Sequence, residues 1–118
     1  MDFDIELRFQ KVLKGLEPNF GGGLDVQAVL FLIGVNELGI GYKDFSKAEK
    51  QDLLHVAICT LLEPFGYYEY EKRDEENWPH FKFLKPLPNL TDREQQHLMK
   101  EAIIDYFQQN EYADLIES

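Results

Sequence analysis

The sequence predicts a mainly α-helical α+β fold: about four helices and one β-hairpin, in the order α-α-α-β-β-α. Three observations carry this prediction. Apolar residues recur at helical spacing over four separate stretches, as a helix with a buried face requires. After Tyr67 the period drops to two, the mark of half-buried strands. Glycine, proline and Ser/Thr-x-x-Glu signals punctuate the stretches, supplying turns and helix caps between them.

The first helix is expected over residues 1–16. Ile5, Phe9, Val12, Leu13 and Leu16 share one face, and charged residues fill most other positions. Gly15 and Pro18 are expected to end it, with Glu17–Gly23 as a loop. The second helix, 25–38, is apolar nearly all round, from Val26 and Ala28 through Val29–Ile33 to Val35 and Leu38. Such a helix belongs at the hydrophobic centre of a fold. Gly39 and Gly41 should close it. Ser46 and Glu49 form a capping box for the third helix, 46–63. Leu54, Ala57, Ile58 and Leu61 give that helix an apolar face, and Pro64 and Gly66 end it.

The hairpin is expected over 67–84. Tyr68 and Tyr70 alternate with Glu69 and Glu71, and Phe81 and Phe83 with His80 and Lys82. This gives an aromatic inner face and a charged outer one. Glu69 and Glu71 opposite Lys82 would make favourable cross-strand pairs. The polar KRDEEN run is the turn region, and Pro86-Leu87-Pro88 a stiff connector. Thr91 and Glu94 repeat the capping box ahead of the last helix, 92–109, whose face is Leu98, Met99, Ala102, Ile103, Tyr106 and Phe107. Residues 110–118 form a tail. With no repeat and no low-complexity segment, the expectation is one domain over 1–118.

Composition narrows the role. The 118 residues carry a net charge of -10, which repels phosphate backbones and anionic lipid. A single cysteine, Cys59, allows no internal disulfide and suits a reducing compartment. The acidic start MDFDIELRF lacks the pattern of a signal peptide. The longest apolar run, Ala28–Val35, is too short to span a membrane. These features point to a cytoplasmic protein with neither a nucleic-acid nor a membrane partner.

The sharpest chemical motif is NFGGGLD, residues 19–25. Glycines ahead of a helix can cradle an anion. A phosphate loop also needs a lysine and a hydroxyl, and a dinucleotide fingerprint needs a preceding strand; both are missing. Asp25 puts a carboxylate where a phosphate would sit and suits an N-cap. The run therefore reads as a hinge between helices. His55, Cys59 and Glu63 recur at i, i+4 and i+8, a weak metal-ligand stripe with no CxxC or HExxH beside it, set away from the main apolar face. The sequence calls for no metal, no cofactor and no catalytic residue. No nucleophile elbow is present, and an enzymatic role is left open but disfavoured.

The segment from Phe65 to Phe83 is rich in aromatics. Most should pack the hairpin on the helices. Trp78, at the hairpin tip beside Pro79, is where deep burial is hardest, and an aromatic there suits a partner anchor. Tyr70, His80 and Lys82 complete the expected partner-binding set. Lys43, Lys47, Lys50, Lys82 and Lys85 are the basic concentration of the chain and read as a solvated face.

Helix, helix and hairpin, with the stretch LLEPFGYYEYEKRDEENWPHFKFLKPLPNLT, resembles a winged helix-turn-helix over roughly residues 24–92. The resemblance implies a third helix in the DNA major groove. That helix has no arginine, its charges nearly cancel and the wing tip is acidic, which departs from a DNA reader. The phrases LFLIGVNELGIG and LLEPFGYYE also resemble a small, uncharacterised cytosolic family of the Bacteroidota, which implies a compact cytosolic protein and brings no activity with it. The leading expectation is a non-enzymatic protein–protein interaction module, with a homodimer as one form of docking. The alternatives are a winged-helix nucleic-acid-associated regulator and, behind it, a small enzyme or metal-binding protein.

Overall fold

The computed structural model describes residues 2–39 and 43–109. Four helices and a two-stranded antiparallel hairpin follow one another as α1 (Asp2–Phe20), α2 (Val26–Leu38), α3 (Lys47–Leu62), β1 (Tyr68–Arg73), β2 (Pro79–Phe83) and α4 (Asp92–Gln109). This is the expected order. Gly41 and the tail 110–118 lie outside the described residues. The chain divides into two compact units: Met1–Val26 with Asn89–Ser118, and Gln27–Pro88.

The first unit pairs α1 with α4. Phe9, Val12 and Leu16 of α1 are buried, as are Ala102, Ile103, Ile104, Tyr106 and Phe107 of α4. Ile5, Leu13, Leu98 and Met99 are half-buried. Lys100 crosses from α4 to α1. Its ammonium donates to Glu6 Oε1 at 3.0 Å and sits 5.3 Å from the centre of the Phe9 ring. The Thr91 capping box forms as expected: Glu94 N–H donates to Thr91 Oγ1 at 3.2 Å, and Thr91 N–H to Glu94 Oε1 at 2.9 Å.

One boundary differs. α1 continues through Gly15 and Pro18 and ends at Phe20. Pro18 lies in the last turn, where its fixed φ is already helical and only one hydrogen bond is lost. The stop comes from Gly21, at φ +84°, whose N–H donates to Glu17 C=O at 2.8 Å. This left-handed step is the usual glycine C-cap.

The second unit is built on α2, α3 and the hairpin. Leu38, Phe45 and Leu53 form a buried cluster, and Phe31, Val35 and Trp78 pack against it. Gly34 lets α2 and α3 cross closely: a Cβ at that position would come within 2.9 Å of the Leu53 carbonyl carbon. Gly39, at φ +79°, closes α2 with its N–H on Val35 C=O at 3.2 Å. Ser46 caps α3 as expected: Glu49 N–H donates to Ser46 Oγ at 3.1 Å, and Ser46 N–H to Glu49 Oε1 at 2.8 Å. The backbone N–H of Ser46, aided by Lys43, holds the Glu49 carboxyl below its usual range.

α3 is buried on more sides than its sequence face implies. Leu53, Val56, Cys59 and Leu62 join Ala57 and Leu61 in the interior, while Leu54 and Ile58 are only half-buried. Of the His55, Cys59 and Glu63 stripe, expected to lie away from the apolar face, Cys59 is therefore part of the core, while His55 and Glu63 are exposed. A helix that meets partners on two sides needs two apolar stripes, and Cys59 fills one as a small hydrophobe.

Candidate functional site

The hairpin register places Tyr68 opposite Phe83, Glu69 opposite Lys82 and Tyr70 opposite Phe81. Directly opposed residues share a face. Tyr68, Tyr70, Phe81 and Phe83 thus form the expected aromatic face, and Glu69 with Lys82 the charged one. Beyond Tyr70 the register shifts, and Lys72 meets His80 and Arg73 meets Pro79. Glu71 falls in this bulge instead of opposite Lys82, because the extra residue leaves it without a cross-strand partner.

The aromatic face is only partly covered. Tyr68 meets the His55 ring of α3 edge-on, with centroids 6.3 Å apart, and meets Phe83 at 5.7 Å. Tyr70 meets Phe81 at 5.8 Å. Phe83 is still 58% exposed and Tyr70 44%. Leu84 and Leu87, just past β2, are exposed as well. The Tyr70 N–H, which points off the outer edge of β1, is taken by Glu63 Oε2 at 3.0 Å.

The tip is held tightly. Asp74–Asn77 make the turn, and Asn77 adopts φ +73°, a conformation asparagine tolerates better than most residues. Arg73 donates to Glu37 C=O at 2.7 Å and to Asn77 C=O at 2.8 Å. Asn77 Nδ2 donates to Leu38 C=O at 2.8 Å. Two carbonyls at the C-terminus of α2, which have no partner inside the helix, are satisfied this way. Asp74 organises the turn itself. Its Oδ1 accepts from the N–H groups of Glu76 and Trp78, and its Oδ2 lies 2.9 Å from His80 Nε2. The His80 contact first, and the Trp78 N–H next, hold the Asp74 carboxyl below its usual range.

The expected partner-binding set therefore separates. Trp78 is half-buried against Leu38, Phe45 and Leu53 instead of standing free. The tip folds back onto the end of α2, and the indole goes with it. Trp78 and His80 meet along one side of a cleft of about 400 Å³ between α3 and the hairpin, with Phe81 beside them. Tyr70 reaches this group through Phe81. Lys82 lies on the opposite face. The expected set lacks Phe83, Leu84 and Leu87, although the run HFKFLKPL keeps apolar residues coming past the strand, where the alternation breaks at Leu84 and Lys85, and is the signal that points to them.

The metal stripe also separates. Cys59 Sγ lies 3.4 Å from His55 Nε2, whereas Glu63 turns to the Tyr70 N–H. Among the described residues, no three His, Cys, Asp or Glu side chains gather as a metal site. Burial pushes the Cys59 thiol up to about 11, so at neutral pH it is a thiol and a poor nucleophile. Burial, and then Cys59 itself, raise Tyr68.

The lysines are dispersed in use. Lys43 pairs with Glu49 at 3.4 Å, and Lys85 sits 5.0 Å from the Tyr67 ring centre. Lys47 and Lys50 are exposed. In the glycine run, Gly21 serves as the α1 cap and Gly23 is a second left-handed step, at φ +76°. Asp25 immediately precedes α2. No helix among the described residues is long and apolar enough to cross a membrane. No protein-family model, curated protein or solved structure matches the chain.

Proposed function

We propose that this chain is a non-catalytic protein–protein interaction module that docks through its hairpin. The supporting observation is the exposed apolar group formed by Tyr70 and Phe83 on the hairpin, with Leu84 and Leu87 just beyond it. Exposed aromatics on a well-supported element make good binding anchors, because little side-chain entropy is lost on contact. The acidic hairpin turn and the net charge of -10 favour a protein over a nucleic acid.

The test compares wild-type protein with Phe83→Ser as bait in native cell extract, with and without nuclease. The expected result is a protein captured by wild type, retained after nuclease and lost with Phe83→Ser. Capture that survives Phe83→Ser would remove the exposed face from the reading. Partners that vanish with nuclease would favour the nucleic-acid regulator instead.

A further inference from the structure

The cleft between α3 and the hairpin combines two kinds of wall. Trp78, Pro79 and Phe81 supply an apolar side. Asp52 of α3 and Glu76 of the turn supply carboxylates at the rim. Both residues are exposed, and neither carboxylate has a hydrogen-bond or ion-pair partner among the described residues; the Glu76 N–H is held by Asp74 Oδ1. Asp74, the third acid of the lining, differs: its oxygens already hold two backbone N–H groups and His80. Among the described residues, no lysine or arginine lines the cleft. Arg73, next to the turn, is committed to the carbonyls of Glu37 and Asn77.

Two unpaired carboxylates beside aromatic rings suit a cation carried on an apolar stem. The carboxylates offer charge-assisted hydrogen bonds, and the ring faces attract the same charge. A guanidinium or ammonium side chain meets both demands, since its methylene stem covers apolar surface while its head reaches polar groups. We infer that this cleft receives an arginine or lysine side chain presented by a protein partner. The inference rests on the reading of the chain as a docking module and adds the chemistry of what docks. The cleft and the exposed face are continuous through the Phe81–Tyr70 ring contact, so one partner segment can engage both.

Trp78 is the single tryptophan of the chain, so its fluorescence and its indole N–H resonance report on the cleft directly. The probe is the capped peptide acetyl-Leu-Arg-Leu-amide, titrated against the full chain. The control replaces arginine with citrulline, which has nearly the same shape and no charge. The expected result is a saturable shift of the Trp78 signals with the arginine peptide and none with citrulline. The double variant Asp52→Asn/Glu76→Gln should weaken arginine-peptide binding by about tenfold. Equal response to the two peptides would overturn the inference. So would unchanged affinity in the double variant, or no saturable shift up to about 10 mM peptide, the range of very weak complexes. Both substituted residues are exposed, and an unchanged backbone spectrum verifies that the variant is folded. The same double variant, used as bait, separates the two readings. If it keeps a partner that Phe83→Ser loses, the docking module stands and the cation cleft falls.

Discussion

At its turn the hairpin is fastened to α2 by Arg73 and Asn77, and Trp78 packs into the Leu38, Phe45 and Leu53 cluster. At its open end Phe83 and Leu84 face solvent. The polar, acidic turn is thus closed onto α2, while the apolar end, though Tyr68 and the Tyr70 N–H meet α3, leaves Phe83 and Leu84 uncovered. Local polarity does not decide which part of a hairpin is held. The holding groups at the turn are hydrogen-bond donors that meet unpaired helix carbonyls, and a donor does this better than an apolar side chain.

The largest effect should come from beneath the anchored end. Gly34→Val would drive a branched side chain into the Leu53 backbone and cost about 3 kcal/mol, read as a lower midpoint in urea unfolding. Trp78→Ala should cost about 2 kcal/mol, below the range for a fully buried tryptophan because Trp78 is half-buried. If it unfolded no more easily than wild type, the packing of the tip on the core would be refuted. Asn77→Ala loses the hydrogen bond to Leu38 and puts alanine, which tolerates the left-handed region less well than asparagine, at φ +73°. About 1–2 kcal/mol is expected, and Asn77→Gly should recover the backbone part. At the free end, Phe83→Ser should change stability by no more than about 0.5 kcal/mol. A larger loss there would mean that the open end is anchored as well, and the contrast would collapse.

Acid gives the finest probe of the turn. The Asp74 carboxyl is held below its ordinary value of 3.8, so the folded state favours its charged form. The stability it contributes is present above that ordinary value and is lost as pH falls through the lower folded one. Glu49 and Glu94 act in the same sense at their helix caps. Asp74→Asn should therefore flatten part of the acid limb of a stability–pH curve and leave the part due to the caps. An acid limb identical to wild type would show that the turn carboxylate is not coupled to folding.

Much of the fold was legible because its signals are local. Ser46 with Glu49, and Thr91 with Glu94, are reciprocal caps that close within one helical turn, so four residues of sequence suffice to read them. The alternation of Tyr68, Tyr70, Phe81 and Phe83 likewise contains its own pairing. Pro18 was misread as a stop because a proline signal does not say whether it falls in a helix interior or in the last turn, where it costs little. The candidate site was legible only in part. Tyr70 and Trp78 were singled out, but the partners of Trp78, Asp52 and Glu76 lie on other elements or across the turn, and no period connects them.

The sequence by itself determined the number, type and order of the elements, through hydrophobic period, caps and turn residues that act over a few positions. Only the tertiary structure decided which face of α3 takes Cys59, that the acidic tip closes onto α2, and that Asp52 meets Trp78 along one cleft. These depend on distant backbone carbonyls such as those of Glu37 and Leu38. A group left unpaired by one helix becomes the partner of another segment only once the chain has brought the two together.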